Sequence, residues 1–99
     1  MAITPVEDLL TSENTDVPTA GTAVQVFSSA SSTRRAIAIT HSTVGSAKMF
    51  AHYDSAVSST NYLWVLSQSE PTVITVPPGG KLYVVSDTNT QKCAALELK

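Results

Sequence analysis

The stretch His41–Asp54, HSTVGSAKMFAHYD, holds both histidines of the chain and an aspartate two residues after the second. Imidazole and carboxylate groups at short spacing can ligate a metal or pass a proton, so chemistry would have to begin here. If Arg35–His41 and Ser46–Asp54 form a hairpin closed by STVG, one register sets His41 opposite Ser46, Ile37 opposite Phe50 and Arg35 opposite His52. The two histidines then share a face but lie roughly 20 Å apart, at about 3.3 Å per residue. A register slipped by one residue puts them on opposite faces. Neither arrangement lets both reach one zinc ion, whose bonds to nitrogen are about 2.0–2.1 Å long. His52 and Asp54 do share a face, but a catalytic zinc takes about three protein ligands and the sequence offers no third. The histidines are therefore expected to be polar strand-face residues, with no metal and no cofactor.

Other reactive groups fare no better. There is no Gly-x-Ser-x-Gly turn to expose a nucleophilic serine. Asp54, Glu70, Asp87 and Glu97 are too scattered to pair across a glycosidic bond. VPPGG lacks the Lys-Ser/Thr that completes a phosphate loop. Cys93, in KCAALEL, sits among small apolar residues, where a thiol acts as a small buried hydrophobe rather than a nucleophile. No catalytic residue is expected, and the chain reads as a non-enzyme.

The elements that would position such groups follow from composition. At 99 residues the chain is one domain, and a fold of this size buries only roughly 60–65% of its unfolded surface. Self-association or docking onto a larger body is expected to supplement that margin. Net charge is −2, and the positive residues are scattered apart from Arg34-Arg35, which excludes the basic footprint of a nucleic-acid binder. Serine and threonine make up 26 of the 99 residues, which suits strands with hydroxyl-bearing outer faces and polar turns. A lone cysteine permits no internal disulfide. No apolar run reaches the ~18–20 residues of a membrane span. MAITPVEDLL carries acids where an export signal needs bases, so synthesis in a cytoplasm is expected.

Residues 1–20 read as an arm. They contain Glu7, Asp8, Glu13 and Asp16, no Lys or Arg, and little alternation. Thr4, Pro5 and Glu7 fit a helix start, predicting a short helix from Pro5 to about Leu10. TSENTDVPTAG reads as an extended polar linker. The arm is either disordered or ordered against a partner, to which Pro5, Val6, Leu9 and Leu10 would bind.

Residues 21–99 read as β-structure. TAVQVFSS, RRAIAITH, SAKMFAHYD, YLWVLS, TVITV, KLYVVS and CAALEL are about seven short strands with polar turns between them, the pattern of an antiparallel sandwich or barrel-like, jelly-roll-like domain. Pro78-Gly79 suits the centre of a type II turn. Tyr62, Trp64 and Tyr83 are candidate interface residues. In NYLWVLS, Tyr62, Trp64 and Leu66 alternate with Leu63 and Val65, so one set fills the core and the other faces out. Trp64 is either that core tryptophan or part of an aromatic surface, and a sugar-binding platform is one use of the latter.

RRAIAITHSTVGSAKMFAHYDS, the loop DSAVSSTNY, PPGGKLYVVS and the closing AALEL together resemble a small β-domain of tailed-phage structural proteins. The resemblance covers about Thr22–Leu98, with His41 standing where the family-like pattern has asparagine. It implies a structural role in the virion, most like a capsid decoration (cement) protein that binds the outer surface of the head and stabilises contacts between capsomers. The implied partner is the major capsid protein, with a homo-oligomer, trimer or dimer, on the capsid surface. A head-fibre or tail attachment module, or a carbohydrate- or receptor-binding sandwich, is the alternative.

Overall fold

A computed structural model of the chain describes residues 10–27 and 34–98. The short helix and the arm residues Pro5, Val6 and Leu9 lie outside the described residues. Among the described residues eight strands run in order: β1 Leu10–Val17, β2 Val24–Val26, β3 Ala36–His41, β4 Met49–His52, β5 Trp64–Val65, β6 Thr72–Thr75, β7 Leu82–Ser86 and β8 Gln91–Leu98. They form two four-stranded sheets, β1-β8-β3-β6 and β2-β7-β4-β5, in which every pair is antiparallel. First pairs with last, second with seventh, third with sixth and fourth with fifth. One long hairpin has been rolled so that its successive pairs alternate between the sheets, which is the jelly-roll connectivity.

Period-two patterning explains the faces. In β3, Ile37, Ile39 and His41 are buried while Ala36, Ala38 and Thr40 are half-buried on the outer side. β8 repeats this, with Gln91, Cys93, Ala95 and Glu97 turned inward. Met49 and Ala51 of β4 join Leu82 and Val84 of β7 in the same core, closed by Val17, Val26, Leu66 and Ile74. Gly80 donates its N–H to the Pro77 carbonyl at 2.8 Å, and Gly79 takes a φ of 76°, as the expected type II turn requires.

Three expectations are corrected. Most of the linker predicted from Thr11 onward is β1, paired with β8 along its whole length, and Val17 is fully buried. The predicted arm therefore enters the fold at Leu10. β3 and β4 do not form a hairpin: β3 lies between β8 and β6, β4 between β7 and β5. The segment between them crosses from one sheet to the other, because each strand already has two partners. The pairing of Arg35 with His52 falls with it, since His52 lies opposite Tyr83.

Polar clusters tie both ends. At one end Arg34, fully buried, donates Nε to Glu97 Oε2 at 2.7 Å and Nη1 to the Gly80 carbonyl at 2.7 Å. Its guanidinium carbon lies 5.8 Å from the centroid of the Phe27 ring. Phe27 has a positive φ of 52°, and its N–H is held by Glu13 Oε1 at 3.0 Å. This cluster joins β1, β2, β8, the entry to β3 and the β6–β7 turn. At the other end His41 Nε2 meets Gln91 Oε1 at 2.8 Å. Gln91 Nε2 donates to the Asn89 carbonyl, which turns Oε1 toward the ring and makes His41 Nε2 the protonated nitrogen.

Cys93 is fully buried, and desolvation pushes its thiol up to about 12. The folded chain should leave Cys93 untouched by a thiol reagent around pH 8, with full reaction on denaturation, because the thiolate is the nucleophile. Rapid labelling of the native chain would contradict this burial.

Candidate functional site

Sequence reasoning places any chemistry around His41, His52 and Asp54. His41 is buried in one sheet and His52 lies on the other, so the two cannot share a ligand. His52 Nδ1 accepts the Asp54 N–H at 3.0 Å, and Asp54 Oδ1 accepts the Ala56 N–H at 2.9 Å. Their polar atoms shape the start of a loop. Further along, Ser58 and Asn61 exchange backbone hydrogen bonds, and Asn61 Nδ2 donates to the Ala56 carbonyl. Among the described residues no three His, Cys, Asp or Glu side chains gather as metal ligands would.

That loop has a packing role. It lays Val57 against Phe50 and Val85 on the outer face of the β2-β7-β4-β5 sheet, forming a second small apolar cluster with Ala23 and Tyr83. Tyr62, at the end of the loop, stacks on Phe50 with ring centroids 4.8 Å apart and planes tilted by 42°. Phe50 pairs with Val65 across β4 and β5. The cluster thus opens toward β5, at the edge of the sheet, where Val65 is exposed.

The open side is the candidate interface. Trp64 lies opposite Ala51, packs on the core and meets Tyr53 edge-on at 5.3 Å. Tyr53 in turn donates its hydroxyl to the Thr75 carbonyl at 2.7 Å, linking β4 to β6. With Trp64 and Leu66 facing in, Leu63 and Val65 face out, 52% and 48% exposed. Tyr62 is 43% exposed beside them. The three aromatic candidates therefore do not share one surface: Tyr62 and Tyr83 lie on the outer face and Trp64 turns inward. Leu63 and Val65 complete the exposed margin. Sequence alternation marks them as one of two possible faces without deciding which is outside.

Asp87 sits on the rim of the same sheet. The Lys48 N–H and then the Thr88 hydroxyl hold its carboxyl below the usual value of 3.8. Because the folded chain favours the carboxylate, this contribution is full above the ordinary aspartate range and fades as pH falls below it.

An exposed hydrophobic margin at a sheet edge is a candidate surface for burial against another molecule. Comparison with known proteins adds no kinship to this geometry: no family model fits the chain, and no curated protein or solved structure matches it.

Proposed function

We propose that the chain is a structural virion protein of the capsid-decoration kind, which docks on a shell built from a major capsid protein and reinforces contacts between its units. The observation that carries this reading is the exposed apolar margin of Tyr62, Leu63 and Val65, on and just before edge strand β5 of the jelly roll. The resemblance of Thr22–Leu98 to tailed-phage structural domains supports it. Jelly rolls also occur in capsid and lectin domains, an analogy of fold and not of function. A fully buried aliphatic side chain contributes about 1.5–3 kcal/mol before the cost of association, and an oligomer that engages several shell sites at once adds avidity.

Co-sedimentation with undecorated shells tests the proposal. The full chain should bind saturably, at a fixed ratio to the shell protein. Leu63→Glu with Val65→Glu should weaken binding at least about tenfold while leaving the fold intact, because both side chains already face water. Absence of binding by the unmodified chain overturns the reading. Binding in only a handful of copies per particle assigns a head-fibre or tail attachment module instead.

A further inference from the structure

Four strands end the two sheets: β1, β2, β5 and β6. Edge strands are templates for pairing with another chain, and proteins blunt them by shortness, by proline or by charged side chains, lysine above all. β2 and β5 have only three and two residues. β6 has four and is bracketed by Pro71 and by Pro77-Pro78. β1 is different. It has eight residues, LTSENTDV, with no proline, lysine or arginine among them.

The direction of its free groups can be read from β8. Lys92 accepts the Ser42 N–H on its carbonyl at 2.9 Å and gives its own N–H to Thr43 Oγ1 at 2.9 Å, so both of its backbone groups point toward β3. Backbone groups alternate sides along a strand. Cys93, Ala95 and Glu97 therefore turn theirs toward β1, onto Thr15, Glu13 and Thr11. The N–H and C=O groups of Ser12, Asn14 and Asp16 then point away from β8. Among the described residues, nothing pairs with them.

We infer that β1 is a self-association edge that pairs antiparallel with β1 of a second copy, about a two-fold axis between the two Asn14 residues. Three constraints select this register. Glu13, Thr15 and Val17 face the core side, so a sheet continuous through both sandwiches must set inward residues opposite inward ones. Moving the axis to Glu13 brings two glutamates face to face, with Cβ atoms about 4.5–5.5 Å apart, which is destabilising. Moving it to Thr15 sets Ser12 against Pro18, which has no N–H to give. With the axis at Asn14, Ser12 faces Asp16 and Glu13 faces Thr15, and no like charges meet. About six backbone hydrogen bonds close the joint, from the paired outward groups of both copies. The two β1-β8-β3-β6 sheets become one. This gives the self-association expected from the small size of the domain a definite joint, and it does not depend on shell binding.

Asn14→Pro and Asn14→Lys are the test variants. The Asn14 N–H is not used by β8, so proline there removes an edge donor without cutting the internal ladder, and circular dichroism checks that the fold persists. Lysine places two like charges at the axis. In sedimentation equilibrium the full chain should dimerise, and both variants should raise the dimer dissociation constant at least about tenfold. Asn14→Cys should form an intermolecular disulfide, because Cα atoms of a hydrogen-bonded pair lie about 5.5 Å apart, within the disulfide range of about 4.4–6.8 Å. Asp16→Cys should not, since the two introduced thiols would sit on backbones roughly 13 Å apart at about 3.3 Å per residue. A chain that stays monomeric at about 0.5 mM overturns the inference, as does equal cross-linking at the two positions. Shell binding by the full chain is measured separately, so a monomer that still decorates shells sinks the β1 joint and spares the proposed function.

Discussion

Replacing Glu97 by alanine lowers the thermal unfolding midpoint by at least about 12 °C. Arg34 is fully buried, and the substitution removes the carboxylate 2.7 Å from its Nε. Breaking a buried ion pair by deleting one partner costs about 3–5 kcal/mol, because the other charge stays in the interior short of the bond it was buried with. For a domain of this size each kcal/mol moves the midpoint by about 4–8 °C. The pair stabilises the fold by position more than by attraction. Arg34 also bonds the Gly80 carbonyl, and a side chain at Gly80 would bring a Cβ within 2.9 Å of the Pro77 oxygen. The guanidinium thus fits a turn whose shape depends on glycine. Arg34→Met combined with Glu97→Leu should recover more than half of the loss, because apolar replacement takes both charges of the pair out of the interior. It leaves the Gly80 carbonyl without its donor, which keeps recovery incomplete at about 1–3 kcal/mol. Differential scanning calorimetry of the three variants decides the matter: a Glu97→Ala midpoint within about 3 °C of the unmodified chain rejects a structural role for the pair.

The same pair shows how much the sequence disclosed. Cys93, Ala95 and Glu97 alternate on one face of CAALEL, and a face that buries Cys93 must also bury Glu97. An acid on a buried face needs a cation, and the RR doublet ahead of β3 supplied one. That inference was within reach of period-two patterning. Strands β3 and β8 and the PPGG turn were legible for the same reason, since local chemistry dictates them. Strand partners were not. Neighbouring strands usually pair, which suggested a β3–β4 hairpin. A rolled hairpin pairs strands by their distance from its tip, and no local feature of AIAITH or MFAH records that distance. β1 was hidden for a different reason. Ser, Asn and Asp are poor strand formers, and they occupy its outer face. Its inner face carries Glu13, which reads as surface until its bond to the Phe27 N–H is known. At β5 both alternating sets were apolar, so patterning could name the margin of Leu63 and Val65 only as one of two choices.

Deleting Met1–Ala20 abolishes the cooperative fold, whereas deleting residues 1–9 leaves it. The longer deletion removes all of β1, and with it one of the two strands that flank β8, paired with it from Gln91 to Leu98. Cys93 and Ala95, now 0% and 4% exposed, would border a new sheet edge. Val17 would leave the core, and the Phe27 N–H would lose the Glu13 carboxylate that holds a strained residue beside Arg34. Burial of a valine alone is worth about 1.5–3 kcal/mol, and each lost ladder bond a further 0.5–1.5 or so. A small domain has only about 5–15 kcal/mol in total. Near-ultraviolet circular dichroism and a thermal melt distinguish the two deletions. The longer one should lose both the fixed aromatic signal and the sharp transition, while the shorter one should keep them. This decides how the role of the arm must be probed, because a shell-binding defect in the longer deletion would report unfolding, and only the shorter one isolates Pro5, Val6 and Leu9. A longer deletion that melts cooperatively with native-like aromatic ellipticity would mean that β8 does not need β1, and the strand would return to being an appendage.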